Sequence, residues 1–78
     1  MLPTPELVKE YIAAGMKCSH LEVEGDGSHF NAVIVSNEFE GKRLIQRHQL
    51  VYAALGDRMR EEIHALSMKT LTPEEFAK

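Results

Sequence analysis

Residues 20–35 decide the fold, and they read HLEVEGDGSHFNAVIV. In the first part, Leu21 and Val23 alternate with polar neighbours, which is the period of a half-buried strand. The cluster Gly-Asp-Gly-Ser at 25–28 is typical of a turn, since its two glycines are free to take positive φ. The nearly continuous apolar run at 30–35 is typical of a central strand covered on both faces. The stretch therefore predicts a β-hairpin.

A helix is predicted before the hairpin. Thr4 can cap its N-terminus with the side-chain hydroxyl, Pro5 suits the first turn because its missing N–H is no loss, and Glu6 complements the helix dipole. An apolar stripe follows, formed by Leu7, Val8, Tyr11 and Ile12. Gly15 is expected to end the helix, so the prediction is a helix over about residues 5–14.

The chain after the hairpin is predicted to form a helix, a strand and a short terminal helix. From about residue 43 the 3.6-residue period returns, with Gly56 as an interruption or an end. The residues predicted to share one face of this helix are Leu44, Ile45, His48, Val51, Tyr52, Leu55 and Met59. Residues 63–70 alternate as a strand does, and Thr72 opens a capping box for the terminal helix.

These elements give the order αββαβα and the fold class α+β. A strand–helix–strand passage places the last strand parallel to the second. The expected architecture is a three-stranded mixed sheet with helices packed on one face. Residues 1–78 are predicted to form a single domain, because a chain of this length builds one small core.

Composition narrows the classes of function. The only cysteine is Cys18, so one chain cannot form an internal disulfide or a four-cysteine metal site. No nucleophile elbow, phosphate-binding glycine loop or HExxH motif occurs, which favours a binding or adaptor role over an enzyme. The sequence carries no signal-peptide pattern and no apolar run long enough for a membrane span. A cytoplasmic protein without membrane association is therefore expected.

The charge is distributed unevenly along the chain. Residues 1–41 hold seven acids against two bases (−5), and residues 42–78 hold five acids against seven bases (+2). This basic excess is mild for a dedicated nucleic-acid binder, whose pI is usually above about 9. Direct nucleic-acid binding would depend on a local basic patch, for which Lys42, Arg43 and Arg47 are the candidates.

The histidines are the candidate metal ligands. His29 ends the hairpin turn and His64 opens the third strand, so the two can converge at one edge of the sheet. Two imidazoles make an incomplete site, because a structural zinc or a protein-held iron–sulfur cluster takes four ligands. Asp26 is a possible oxygen donor beside them. His20 is interpreted as a surface residue, and His48 as a packed helix residue or a member of the basic patch.

Several blocks of the sequence together resemble the BolA family. They are GDGSHF (25–30), VIVS (33–36), FEGK (39–42), QRHQLVY (46–52), IHAL (63–66) and KTLTPEEF (69–76). The resemblance covers essentially the whole chain and is strongest to the small bacterial IbaG (YrbA) branch. It implies a fold like the type II K-homology domain, although the G-x-x-G loop with which those domains clamp nucleic acid is missing.

The resemblance also implies a function. BolA proteins partner monothiol glutaredoxins and share a 2Fe–2S cluster with them, the glutaredoxin supplying a cysteine and bound glutathione another thiolate. His64 matches the family's strand-opening ligand, and His29 is the nearest match to the hairpin-loop ligand, with Asp26 as the alternative. No cofactor is expected in the isolated chain, which would be a monomer or a weak homodimer.

Two further expectations follow from this resemblance. Imidazole titrates near about pH 6.5, so acidification is expected to protonate the ligands and loosen a shared cluster. BolA proteins are also linked to transcriptional regulation in stress response and cell morphology. In that alternative, Lys42, Arg43 and Arg47 would contact the phosphates of DNA.

Overall fold

The computed structural model, which describes residues 4–58, 63 and 65–78, has its elements in the predicted order αββαβα. The helices are α1 (Pro5–Gly15), α2 (Leu44–Leu55) and α3 (Pro73–Ala77), and the strands are β1 (His20–Gly25), β2 (His29–Val35) and β3 (Ala65–Leu71). The connector between β2 and α2 contains a 3₁₀ turn over Asn37–Phe39. The α+β class is confirmed.

The sheet has β2 at its centre, as predicted. Its order is β1-β2-β3, with β1 antiparallel and β3 parallel to β2. The expectation that β2 is covered on both faces holds only at its C-terminal end. Ile34 and Val35 are buried, whereas Asn31 is exposed and Val33 half-buried. The cover is incomplete because α1 and α2 contribute to a core on one face of the sheet only.

Within the described residues, ten buried hydrophobic side chains form that core: Val8, Ile12, Met16, Phe30, Ala32, Ile34, Phe39, Val51, Leu55 and Ile63. Helices α1 and α2 lie close together where Gly15 meets Ala54. A Cβ atom added to Gly15 would lie 2.6 Å from the Cβ of Ala54, which is a clash. Glycine at position 15 therefore lets the two helices close over the sheet.

The predicted apolar face of α2 is only partly correct. Val51 and Leu55 are fully buried, but Leu44 is 63% exposed, Ile45 67% and Tyr52 42%. Leu44 lies in the first turn, far from the crossing with α1 near the other end of the helix. Ile45 and Tyr52 are rotated by roughly 60–80° from Leu55 about the helix axis, so their side chains do not face the core. Met59 lies outside the described residues.

Strand β3 begins later than predicted, at residue 65 instead of 63. Ile63 is fully buried, but it precedes the strand and belongs to the hydrophobic core instead of the strand's alternation. Within β3 the predicted alternation is confirmed, since Leu66 and Met68 pack against the core while Ser67 is exposed. His64 lies outside the described residues.

Both predicted helix caps are confirmed. The hydroxyl of Thr4 accepts a hydrogen bond from the Leu7 amide at 3.1 Å at the start of α1. At α3, the hydroxyl of Thr72 accepts from the Glu75 amide at 3.1 Å, while Oε1 of Glu75 accepts from the Thr72 amide at 2.8 Å. This reciprocal pair is a capping box, and it fixes where α3 starts.

Candidate metal-ligand site at the hairpin turn

The turn between β1 and β2 brings the chain back on itself within a few residues. The Asp26 amide donates to the His29 carbonyl at 3.2 Å, which closes the turn. Gly25 allows this close approach, because a Cβ atom there would lie 2.2 Å from the carbonyl oxygen of His29. Gly27 has a φ of 98°, a region that favours glycine. The predicted turn is confirmed, and the tightness of its backbone explains both glycines.

Asp26 binds the backbone of the turn with its side chain. Its Oδ1 accepts hydrogen bonds from the amides of Ser28 and His29, each at 2.9 Å. These two bonds hold the pKa of the Asp26 carboxyl below its ordinary value, the His29 amide contributing most and the Ser28 amide next. The carboxylate is exposed and ionised at neutral pH, so a negative charge lies beside His29.

His29 is the first residue of β2 and its side chain is exposed. In the parallel pairing of β2 with β3, the register partner of His29 is Ala65. The residue before Ala65 in the sequence is His64, the second predicted ligand, which lies outside the described residues. The described part of the site is therefore the exposed imidazole of His29 beside the start of β3, with the Asp26 carboxylate next to it.

The other two histidines lie elsewhere. His20, at the start of β1, is paired with Val35, at the opposite end of the sheet from His29. Its Nε2 lies 2.7 Å from Oε2 of Glu22, and its ring stacks on Phe76 of α3 at 4.7 Å between centroids. The interpretation of His20 as a surface residue is confirmed in part: its side chain is 38% exposed, and its ring also contacts α3 through Phe76. His48 is half-buried in α2, in agreement with a packed helix residue.

Cys18 lies just before β1 and is half-buried against the core. Burial, and then the negative charge of Glu38, raise the pKa of its thiol above the ordinary value. A raised pKa keeps the thiol protonated at neutral pH, and the thiolate is the form that attacks or binds metal. This environment fits a packed residue better than a nucleophile.

The three predicted basic residues differ in their surroundings. Lys42 and Arg43 are exposed before the first turn of α2. The side chain of Arg47 is only 14% exposed and pairs with Glu75. Its guanidinium also donates to the carbonyls of Lys42 and Thr70. This structural role is not predictable from the sequence, because the partner carboxylate lies 28 residues away and no local pattern connects the two.

Within residues 4–58, 63 and 65–78, no three side chains of His, Cys, Asp or Glu converge closely enough to hold a metal ion. Among these same residues, no helix has the length and apolar composition that crossing a bilayer requires.

Comparison with known proteins identifies the family. The BolA-like protein family matches residues 9–75 of the chain. Protein BOLA2 from Arabidopsis thaliana is 46% identical over 78 residues, covering 94% of this chain and 83% of that protein. The DNA-binding transcriptional regulator BolA from Escherichia coli is 32% identical over 81 residues, covering 91% of this chain and 77% of that protein.

Solved structures agree with this match. A bolA protein homologue from Coxiella burnetii superposes with a TM-score of 0.91 and 45% identity, covering 99% of this chain and 100% of that chain. The fold of this chain, with its β1–β2 hairpin, is thus that of a BolA-like protein. The chain belongs to the BolA family, which confirms the resemblance carried by its sequence blocks. The narrower assignment to the IbaG branch and the likeness to a type II K-homology domain stay predictions.

Proposed function

We propose that this protein is a non-enzymatic adaptor that pairs with a monothiol glutaredoxin and shares a 2Fe–2S cluster with it. In this role it would serve the assembly or trafficking of iron–sulfur clusters, or the sensing of iron. The cluster is the cargo of the pair, and glutathione bound to the glutaredoxin supplies one of its thiolates. His29 and His64 are the ligands that this chain contributes.

One observation carries the proposal: His29 is exposed at the start of β2, and its partner in the β3 register is Ala65, the residue that follows His64 in the sequence. His29 and His64 are 35 positions apart in the chain, yet the parallel register puts His29 beside Ala65, the residue after His64 in the sequence. A partner that approaches this edge can reach both strands without entering a cavity.

The donor chemistry supports sharing. A 2Fe–2S cluster takes four ligands, and this chain has one cysteine, Cys18, which is half-buried. An exposed neutral imidazole is a known ligand of such clusters, as in Rieske centres, where histidines replace two of the four cysteines. The His29 side chain therefore fits a ligand role, and thiolates from the partner would complete the set.

The proposal is tested by mixing the protein with a cluster-loaded monothiol glutaredoxin and recording visible absorption and circular dichroism. Wild type is expected to change the spectrum at one equivalent. His64→Ala is expected to abolish that change, and His29→Ala to abolish or strongly reduce it. The matched control is His20→Gln, since His20 is a histidine at the other end of the sheet, and this variant should retain the wild-type spectrum.

Two results would contradict the proposal. The first is a wild-type protein that leaves the spectrum of the loaded glutaredoxin unchanged. The second is a His64→Ala variant with the full wild-type change. Circular dichroism in the far ultraviolet checks that each variant is folded, so that loss of the cluster signal is not loss of the fold.

A second candidate function is DNA binding, which the exposure of Lys42 and Arg43 favours and the name of the Escherichia coli relative suggests. Each phosphate contact contributes about −0.9 to the slope of log affinity against log salt concentration. Lys42→Gln and Arg43→Gln should each reduce that slope by about 1. Arg47 is kept unchanged, because its substitution would also release Glu75. Binding without a salt dependence, or no binding to duplex DNA, removes this candidate.

A further inference from the structure

The side chain of Asp26 organises the peptide that carries His29. One carboxylate oxygen, Oδ1, accepts from two successive amides, those of Ser28 and His29, each at 2.9 Å. The amide of Asp26 itself donates to the His29 carbonyl at 3.2 Å. Both the N–H and the C=O of His29 are thus bound to Asp26. Among the described residues of the turn, only Asp26 forms hydrogen bonds with both the N–H and the C=O of His29.

We propose that Asp26 is a positioning residue for His29, an inference that rests on the ligand role proposed above for His29. Without these hydrogen bonds, a turn that contains Gly25 and Gly27 could adopt many backbone conformations, because glycine restricts φ least. The two hydrogen bonds to Oδ1 select one conformation of that turn. They fix the backbone of His29, and hence the direction in which its side chain leaves the sheet edge.

In this role Asp26 is not itself the ligand in the turn, and His29 is. A carboxylate oxygen is a hard donor that suits magnesium, calcium or manganese, whereas iron–sulfur clusters are held by thiolate and imidazole. In Asp26 the acceptor capacity of Oδ1 is already directed at two backbone amides, and this holds the carboxyl ionised. Asp26 therefore serves the imidazole next to it, as second-sphere groups orient ligands in metal sites.

The first test uses the free protein and needs no partner. Asp26→Ala removes the acceptor, whereas Asp26→Asn keeps an oxygen at the same place and loses only the charge. Amide hydrogen exchange measured by NMR should become about tenfold faster at His29 in Asp26→Ala and stay within about twofold of wild type in Asp26→Asn. Ser28→Ala is the matched control, because the backbone amide that donates to Asp26 is retained.

The second test uses the complex with cluster-loaded glutaredoxin. Asp26→Asn should give the wild-type circular dichroism spectrum, and Asp26→Ala should weaken the apparent affinity of the complex by about tenfold, a typical loss for a group that orients a metal ligand. Rescue by the asparagine variant is the signature of positioning. A ligand carboxylate would be lost equally in both variants, and that result would overturn the proposal.

Failure of this inference is separable from failure of the proposed function. If Asp26→Ala leaves both the His29 exchange rate and the cluster spectrum unchanged, Asp26 does not position His29, while the function stands. If wild type gives no spectral change with the loaded glutaredoxin, the proposed function fails. The exchange rates of the free chain then decide by themselves whether Asp26 fixes the His29 backbone.

Discussion

Arg47 in α2 holds Glu75 in α3 through two guanidinium nitrogens. Nη1 of Arg47 lies 2.8 Å from Oε1 of Glu75, and Nη2 lies 3.4 Å from Oε2. The same guanidinium donates to the carbonyl oxygens of Lys42 at 3.0 Å and Thr70 at 3.1 Å. One side chain thus joins the segment before α2, the end of β3 and the terminal helix, and α3 is fixed at its first turn.

The Arg47–Glu75 pair makes the attachment of α3 dependent on pH. The hydrogen bond from Arg47, and next the one from the Thr72 amide, lower the pKa of Glu75 from 4.5 to about 2. Because the folded-state pKa is the lower one, the stabilisation is complete above about pH 4.5 and is lost as the pH falls through about 2. Glu75→Gln should therefore melt at a lower temperature than wild type at neutral pH, with the difference shrinking at acid pH.

Thermal unfolding followed by circular dichroism at pH values of about 7, 4 and 2 measures this difference. Glu74→Gln is the matched control, since it removes one charge from the exposed side of the same helix and should change the melting temperature less. A Glu75→Gln variant whose deficit is the same at acid and neutral pH would show that the carboxylate charge is not what holds α3.

The second anchor of α3 is the stacking of Phe76 on His20, with 4.7 Å between ring centroids and 24° between ring planes. Stacked aromatic pairs contribute about 0.5–1.5 kcal/mol beyond their buried area. Phe76→Ala should lower the free energy of unfolding by about 1 kcal/mol and shift the proton resonances of the His20 ring. Phe76→Leu keeps apolar area without the ring and should recover part of the stability but not the ring-current shift.

Unchanged His20 resonances in Phe76→Ala would mean that α3 does not cover this end of β1.

A double variant, Phe76→Ala with Glu75→Gln, tests whether the two anchors of α3 are coupled. Both lie on one five-residue helix, so the two losses should be non-additive.

Much of the fold could be predicted because its signals are local. The alternation of Leu21 with Val23, the turn glycines and the capping box at Thr72 each depend on residues within a few positions of one another. Periodicity could not predict which apolar residues of α2 would be covered. Leu44 and Leu55 lie on the same predicted face of α2, and only the position of the crossing with α1 separates the exposed Leu44 from the buried Leu55.

The candidate site was predictable to a similar extent. The sequence blocks that resemble the family led to His29 as a ligand, which stays a prediction. The structure shows that its side chain is exposed at the start of β2. The hydrogen bonds from the amides of Ser28 and His29 to Asp26 were not predictable, because they depend on the path of the turn backbone. The pairing of Arg47 with Glu75 was not predictable either. From the sequence alone, Arg47 is a candidate contact to phosphate.

Gly15 is predicted to be intolerant of a side chain although it is exposed. A Cβ atom there would lie 2.6 Å from the Cβ of Ala54 and 2.7 Å from its Cα and carbonyl oxygen. Alanine normally stabilises a helix by about 1 kcal/mol relative to glycine, but crowding of this kind typically costs about 1–3 kcal/mol. Gly15→Ala should therefore destabilise the protein in urea unfolding.

The combination of Gly15→Ala with Ala54→Gly removes one of the three close atoms. It should be more stable than the sum of the two single changes predicts, since the new methyl group then has more room. Additive losses would place the cost of Gly15→Ala somewhere other than the contact between α1 and α2.

The reactivity of Cys18 should be governed first by its burial and second by Glu38, the two causes that raise the pKa of its thiol. Oε2 of Glu38 also accepts from the Lys17 amide at 2.8 Å, so Glu38→Gln keeps an oxygen acceptor for that bond while removing the charge. Because a nearby negative charge disfavours the thiolate, its removal should lower the thiol pKa.

Alkylation by iodoacetamide at mildly alkaline pH should then be about two- to threefold faster in Glu38→Gln than in wild type, since only the thiolate reacts. Glu40→Gln removes an exposed charge from the same connector and should leave the rate near that of wild type. Equal rates in all three proteins would mean that burial alone sets the reactivity. A larger acceleration accompanied by lost far-ultraviolet signal would show that Glu38 acts mainly by holding Lys17 and the start of β1 in place.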